Sequence, residues 1–362
     1  MARNQRGCGC LLALLLIATV VGVAIWWKFY RETGPKLPPP SGEELRVHML
    51  DVGQGDSILI LTPDGKTALV DAGNPGNGKK IVEAMQRHGV QQIDYLIATH
   101  AHADHIGAAD EVLRAVPVLH VVASEISNPT KNYEDFLEET VKLAEQGKTK
   151  YEKAAPGQTF DLGGGAIITV LAPIPPFFTK DQLRSGGNEP NANSVVTRLD
   201  YGEFSMLLTG DAEAQTEQRL IANGARLEAD ILKVGHHGSK YATSEEFLQR
   251  GQFDAAIISA GADNRYGHPS PEVLARLKAA GVKLYRTDLQ GEITITTRGT
   301  EENSYQITTE REPTEDLWAG RKAQRDDSSR SGFIQYGDFG PAPKKRDAGN
   351  KNANRKNATG GR

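Results

Sequence analysis

Cysteine is almost missing from this chain of 362 residues: there are 2, Cys8 and Cys10, both ahead of everything that reads as a folded domain. A disulfide-stapled scaffold and a thiolate metal site are thereby excluded from the remainder, and a domain free of disulfides fits either side of a membrane. Neither cysteine stands behind an apolar run, as lipid attachment would need, so both read as small residues at a helix end. A large excess of one charge is missing too. The formal net charge is −4, and ordinary apolar and charged fractions fit one medium-sized globular domain with extra segments at each end. No internal repeat is evident. Long hydrophobic runs are absent with one exception, Cys10 to Trp27, which carries no charge over 18 residues.

That exception is just long enough to span a bilayer as a helix. Arg3 and Arg6 precede it, and it ends in Ala24-Ile25-Trp26-Trp27-Lys28-Phe29-Tyr30. A cleavable secretory signal has a shorter apolar core and a small-x-small cleavage site, whereas an aromatic cluster reads as an interfacial belt. The expectation is an uncleaved signal-anchor over residues 1–33. It makes the protein single-pass in the cell membrane with its domain on the extracytoplasmic side, or secreted if the anchor is cut. Lys28, Arg31 and Lys36 follow the span and weigh against that orientation. A stiff Pro-rich linker (34–43) comes next. The globular domain is expected over 44–309. From Glu310 onward apolar residues thin out, and the segment to Arg362 reads as a disordered tail. From Arg321 it carries 11 basic against 4 acidic residues, so the tail is +7 and the chain before it −11. Such a tail reads either as solvated or as contacting anionic lipid, cell-wall polymer or nucleic acid.

Within the domain, short apolar runs at Arg46 to Leu50, Ser57 to Leu61 and Thr67 to Val70 read as strands, with a hairpin turn at Pro63-Asp64-Gly65. The three-four spacing of Ile81, Ala84, Met85 and His88 predicts a helix over Lys79 to His88, stopped by Gly89. A strand at Ile93 to Ala98 is followed by a helix at Ile106 to Val116, a strand at Val118 to Ala123 and a helix at Tyr133 to Gln146. Strands are expected at 166–171, 194–200, 204–208, 229–234, 255–259 and 282–286, and helices at 212–222, 244–249 and 271–280. Strands at 292–297 and 304–308 close the set. Early strands followed by strand-helix alternation fit an α/β fold, an αββα sandwich of two mixed sheets with helices on both outer faces.

What the chain does have is Thr99-His100-Ala101-His102-Ala103-Asp104-His105-Ile106-Gly107, directly behind the buried strand. Three imidazoles fall within six positions, in a chain with 9 histidines overall. Unpaired polar groups at such a place cost several kcal/mol, and a divalent ion partners all four side chains at once. Nitrogen and oxygen donors suit zinc or manganese. His100 and His102 stand two apart in an extended turn, so both can point at one ion, and Asp104 and His105 open the next helix.

Other segments accompany this run. They are Asp51-Val52-Gly53-Gln54-Gly55-Asp56-Ser57, Val70-Asp71-Ala72-Gly73, Asn191-Ala192-Asn193-Ser194, Leu208-Thr209-Gly210-Asp211, Lys233-Val234-Gly235-His236-His237-Gly238-Ser239, Asn264-Arg265-Tyr266-Gly267-His268-Pro269 and Arg286-Thr287-Asp288-Leu289-Gln290-Gly291. In this order they resemble the metallo-β-lactamase fold hydrolases, and among them the hydrolase domain of the competence DNA-uptake channel proteins and its stand-alone secreted relatives. The match runs from about Glu44 to Thr309.

The resemblance implies one or two divalent ions, Zn or Mn, held by His100, His102, Asp104, His105, Asp211 and the His236-His237 pair, with Asp211 as the bridging carboxylate. An N-cap for the helix at 212–222 is the rival role for Asp211. Adjacent residues leave a strand in opposite directions, so one of His236 and His237 is expected to bind metal and the other to contact substrate or orient a ligand. Asp71 is expected to hydrogen-bond the histidine loop. Asn191 and Asn193 occupy the interval where the general fold has a further histidine. The one histidine there, His120, reads as a packed strand residue, so the first ion is expected to be under-liganded. Ser239, Lys240, Tyr266 and His268 are candidate substrate contacts. The function expected is metal-assisted hydrolysis of a phosphodiester, with DNA as first substrate and Asp104 or Asp211 accepting the proton. A phosphoesterase or lactonase for a small or cell-surface substrate, of choline or teichoic type, and a non-catalytic anchored module are the alternatives. Channel-forming helices are absent, so any uptake role needs separate protein partners, which the sequence leaves unknown.

Overall fold

In the computed structural model, residues 44–183, 189–301 and 304–321 are described. The expected anchor (1–33), the whole of the linker (34–43) and most of the tail lie outside them. Among the described residues no helix is long and apolar enough to cross a membrane.

The chain opens with three antiparallel strands, β1 (Leu45–Met49), β2 (Ile58–Leu61) and β3 (Thr67–Val70), then helix α1 (Gly78–Arg87). Strand β4 (Ile93–Ala98) leads to two short helices, α2 (Ala103–Ile106) and α3 (Ala109–Ala115), before β5 (Val118–Ala123), α4 (Lys131–Glu145) and β6 (Lys150–Lys153). A second run follows with β7 (Thr159–Asp161), β8 (Ala166–Ala172), α5 (Glu189–Ala192), β9 (Val196–Tyr201) and β10 (Phe204–Leu208). Alternation takes over in α6 (Ala214–Ala222), β11 (Ile231–Lys233), α7 (Glu245–Gly251), β12 (Ala255–Ile258), α8 (Pro271–Ala279), β13 (Lys283–Arg286) and α9 (Thr287–Gln290). Strands β14 (Ile293–Thr297) and β15 (Tyr305–Thr309) return to the first sheet.

Two mixed sheets result, ordered β15-β14-β1-β2-β3-β4-β5-β6 and β13-β12-β11-β10-β9-β8-β7. Each is antiparallel in one half and parallel in the other, where helical crossovers cover the strands. Parallel strands buried on both faces need continuous apolar runs, which β12 (Ala-Ala-Ile-Ile) supplies throughout and β11 (Ile-Leu-Lys) up to its terminal lysine. Between the sheets pack Val47, Met49, Ile58, Ile60, Leu199, Met206, Leu208 and Ile257. A second apolar layer joins the first sheet to α1 and α3 through Leu59, Leu69, Ile81, Met85 and Val112. A third joins the other sheet to α6, α7 and α8 through Leu220, Phe247, Val273 and Leu277. The four layers are helix, sheet, sheet, helix, as the element pattern implied.

Three departures from the sequence expectation have local causes. The single helix expected over Ile106 to Val116 breaks after Ile106. A Cβ at Gly107 would sit 2.2 Å from the Ala103 carbonyl oxygen and 2.3 Å from Pro75, so glycine lets the chain turn against both. The helix expected at 212–222 starts at Ala214 with Glu213 before it, so Asp211 is not its cap. Strands β6 and β7 escaped notice because Lys-Tyr-Glu-Lys and Thr-Phe-Asp present charge and polarity at sheet edges, the pattern that keeps edges from pairing further.

The domain also continues beyond the expected boundary at Thr309. Arg286, with no exposed surface, makes a bidentate pair with Asp288 (2.9 and 2.6 Å) and donates to the carbonyls of Leu317 (2.8 Å) and Ala319 (2.7 Å). Arg321 reaches the same carboxylate at 3.0 Å, and Leu317 and Trp318 pack against the third apolar layer. Residues 310–321 thus belong to the fold, and the disordered-tail expectation is corrected for them. Ending the chain at Thr309 removes two hydrogen bonds from a buried guanidinium, worth about 1.5–3 kcal/mol each. A drop of about 3 kcal/mol or more in urea-unfolding stability is expected; an unchanged midpoint would make these contacts incidental.

Candidate metal centre

The site forms where the loops at one end of both sheets meet. Asp71, just past β3 in a left-handed conformation (φ 60°), anchors the histidine run. Its Oδ1 accepts from the Thr99 backbone N–H (2.8 Å), and its Oδ2 accepts from the Thr99 hydroxyl (2.7 Å) and His105 Nδ1 (2.7 Å). The expected role for Asp71 is met in full. With Nδ1 of His105 donating, its Nε2 carries the lone pair and faces inward. His237 repeats the pattern from the other sheet: Nδ1 donates to the Ser259 carbonyl at 3.0 Å, leaving Nε2 3.2 Å from His105 Nε2. His100 follows suit. The Thr99 hydroxyl hydrogen is already given to Asp71, so His100 Nδ1 donates to Thr99 Oγ1 (3.1 Å) and its Nε2 lies 2.9 Å from His102 Nδ1.

Ring nitrogens with inward lone pairs thus face one another around Asp211. Its Oδ1 lies 3.1 Å from His105 Nε2 and 3.4 Å from His237 Nε2, yet makes no hydrogen bond within the protein; Asp56 Oδ1 makes none either. Two donor groups result, Asp56-His105-Asp211-His237 and His100-His102-Asp211, with Asp211 common to both. Asp104 Oδ2 stands 3.3 Å from His237 Nε2. Lone pairs converging without hydrogens between them are the arrangement a cation stabilises, and imidazole with carboxylate suits zinc-class ions. The residues present fit the group.

The electrostatics agree. Burial alone would push the His237 imidazole down, but Asp211, Asp104 and Asp56 hold it up, to about 10. Burial likewise opposes the charged form of His105, and Asp211 and Asp71 overcome it and raise it well above the usual imidazole value. Burial would raise Asp104 and Asp211, yet the imidazoles of His105 and His237 keep both well below the ordinary carboxylate range. Protons thus stand in for positive charge that the cage attracts.

Beneath the cage lies a pair that sequence reasoning missed. Lys233, wholly buried at the end of β11, places Nζ 2.7 Å from Asp56 Oδ2 and donates to the Val234 carbonyl at 2.8 Å. Asp56 sits in the glycine-rich turn after β1, where Gly55 (φ +134°) lets the chain pass the Asp104 carbonyl; a Cβ there would approach that oxygen to 2.3 Å. A carboxylate directly behind two turn glycines was the available signal for Asp56.

The paired histidines correct one expectation. They stand in a short 3-10 turn, Gly235–Gly238, rather than at a strand end, and both are left-handed (φ 47° and 52°). Opposite sidedness therefore fails, and both rings turn to the site. His237 is the buried one, within reach of Asp56, Asp104 and Asp211. His236 is 23% exposed, 3.7 Å from Asp211 Oδ2, and is held through Nδ1 by Glu213 at 3.0 Å.

A cleft of about 370 Å³ opens above, lined by Gln54, His102, Asp104, Asn128, Asn191, Asp211, His236, His237, Tyr266 and His268, among others. Asn191 keeps Nδ2 3.3 Å from His236, and its buried Oδ1 makes no hydrogen bond within the protein. Tyr266 is 50% exposed and stacks near His268 with ring centroids 5.9 Å apart. Burial and the nearby His236 and His237 push the His268 imidazole down to about 3, so it is neutral at neutral pH. Three expected contacts do not reach the cleft. Asn193 is spent on backbone, accepting from Phe178 N–H and donating to the carbonyls of Phe178 and Glu189, all at 2.9 Å. Ser239 is buried and accepts from Tyr241 N–H, and Lys240 lies exposed over the Tyr241 ring. His120 is remote, on β5, paired with Glu152 at 3.0 Å.

Comparison with known proteins agrees with this geometry. "ComE operon protein 3" of Bacillus subtilis is 33% identical over 274 residues, which is 70% of this chain and 33% of that protein. "Recombination protein 2" of Haemophilus influenzae is 31% identical over 255 residues, covering 69% of this chain and 28% of that protein. "Competence protein ComA" of Neisseria gonorrhoeae is 29% identical over 291 residues, covering 78% and 37%. The chain thus spans about a third of the length of these relatives. The family model described as "Metallo-beta-lactamase superfamily" matches residues 50–262, which hold every donor of the two groups around Asp211. By that match, and by a four-layer sandwich that brings those donors together, the chain belongs to the metallo-β-lactamase superfamily of hydrolases.

Proposed function

We propose that this protein is a membrane-anchored, metal-dependent phosphodiesterase whose substrate is DNA. The observation that carries the reading is the pair of donor groups sharing Asp211 at the floor of an open polar cleft. His100, His102 and Asp211 would hold one divalent ion, Zn or Mn, and Asp56, Asp104, Asp211, His105 and His237 the other. Bound there, such ions supply Lewis acidity toward water and toward phosphoryl oxygens.

The chain's own groups divide the remaining work. Asp104 is 24% exposed against 2% for Asp211, so it is the ionised carboxylate with access to the cleft, suited to accept a proton from attacking water. Asp211, shared and buried, holds the two halves together. Asn191, whose Oδ1 makes no hydrogen bond within the protein, lines the cleft with His102 and Asp211 of the first donor group, which has only two imidazoles and a shared carboxylate. Neutral His268 has an Nδ1 without a partner, able to contact a phosphate oxygen or its proton. Half-exposed Tyr266, with the exposed Arg265 guanidinium 5.0 Å from its ring centroid, gives the rim a stacking surface with positive charge, the combination that holds single-stranded nucleic acid. Relatives named for competence and recombination support the same substrate. The uncharged run Cys10 to Trp27 supports the anchor.

A second reading, a phosphoesterase or lactonase acting on a small or cell-surface substrate, draws on the acidity of the chain before its basic tail, since long phosphate tracks need Lys and Arg. Manganese-stimulated cleavage of plasmid and single-stranded DNA, compared with a small chromogenic phosphodiester, separates the two. DNA hydrolysis at least about tenfold more efficient per bond is expected. Turnover of the small diester with intact DNA would transfer the assignment to the second reading.

A further inference from the structure

We infer that His48, His88 and Glu292 form a second metal site, for a zinc-class ion, on the outer face of the first sheet. None of its residues belongs to the donor groups of the cleft. The three come from separate elements: His48 from β1, His88 from the residue capping α1, and Glu292 from the residue before β14. His48 Nδ1 lies 3.1 Å and His88 Nε2 2.9 Å from the same Glu292 oxygen, Oε1. Donor atoms bound to zinc at about 2.0–2.1 Å in a tetrahedron stand about 3.3 Å apart, so these separations need only small adjustment.

The surroundings favour an ion over a hydrogen-bond knot. The two rings stack at 3.7 Å between centroids and 27° between planes, and each presents one nitrogen to the same carboxylate oxygen. His48 is 3% exposed, and its Nε2 makes no hydrogen bond. The other oxygen of Glu292 is fixed by Arg87 at 3.0 Å, the kind of outer contact that orients a ligating carboxylate. Thr294 Oγ1, 3.0 Å from His48 Nδ1, supplies a further oxygen. Arg311, the nearby cation on the cleft wall, is engaged by Asp51 and Glu310 at 3.9 Å each. A cleft of about 540 Å³ alongside gives water access to a fourth position. An ion there would fasten β1, α1 and β14 to one another.

The test is a cobalt(II) and zinc titration of the full chain beside H88Q and E292Q. His88 is 22% exposed at a helix end and Glu292→Gln is isosteric, so both variants keep the fold, which thermal melting verifies. We expect each variant to bind one equivalent fewer than wild type. We also expect loss of one component of the cobalt visible spectrum and unchanged hydrolysis in the cleft. Equal stoichiometry and equal spectra in all three proteins would overturn the site. Loss of the ions of the cleft, by contrast, would show as absent hydrolysis with this equivalent retained.

Discussion

Asp211→Ala is expected to abolish hydrolysis, with a loss of about a thousandfold or more in kcat/KM, and to strip the protein of its ions. The expectation follows from position rather than charge alone. Asp211 is the one residue common to both donor groups, and it lies within 3.7 Å of His100, His105, His236 and His237. Without it each group loses a carboxylate at once, and the imidazoles that remain hold an ion with fewer donors and less negative charge. Removing one well-placed electrostatic partner from an active site costs about 10²–10³ in rate, and here two ions lose theirs together. His100→Ala removes one group only, and combining it with Asp211→Ala should add little, as for residues acting as a unit. Metal content by plasma emission alongside manganese-stimulated cleavage measures both halves. Activity within tenfold of wild type in Asp211→Ala would remove the cleft from the chemistry.

Lys233→Met should be the most destabilising single change in the second sheet. Both members of the Lys233–Asp56 pair are buried, and truncating one partner leaves an uncompensated charge at a cost of about 3–5 kcal/mol. For a domain of this size about 2–4 °C is lost per kcal/mol, so a fall of about 6–20 °C in melting temperature is expected. The double variant Lys233→Met with Asp56→Asn removes both charges and should recover most of that stability. It should not recover hydrolysis, because Asp56 also belongs to a donor group. Stability and chemistry thereby come apart in one experiment. A single variant that melts within about 2 °C of wild type would show that Asp56 is balanced by something other than the lysine.

How much of this was legible in the sequence depends on distance along the chain. The run from His100 to His105 announces itself because its donors sit within one loop, and Asp71 because a carboxylate closes a buried strand. The layered architecture follows from element order, since apolar periodicity is a local signal. Lys233 and Asp56 meet across 177 positions, and a lysine at the end of an apolar strand carries no mark of the partner that neutralises it. The expected placement of His236 and His237 at a strand end failed for a different reason. Strand periodicity was extended into a turn where both residues adopt positive φ, a conformation that costs about 1–3 kcal/mol per residue and is tolerated where surrounding contacts dictate it. Asn193 and Ser239 have the right chemistry in the right segment, yet backbone groups claim them. The stretch from 310 to 321 has a tail's composition and is kept in the fold by the buried Arg286 guanidinium, the Arg321–Asp288 pair and the packing of Leu317 and Trp318.

The donors are divided between the two sheets. Asp56, His100, His102, Asp104 and His105 extend from the first, and Asp211 and His237 from the second. Neither half can assemble the cage by itself, so ion capture and the closing of the sandwich are one cooperative event. A chain whose two halves have not yet docked therefore carries only incomplete donor sets, and its hold on an ion arrives with the last layer.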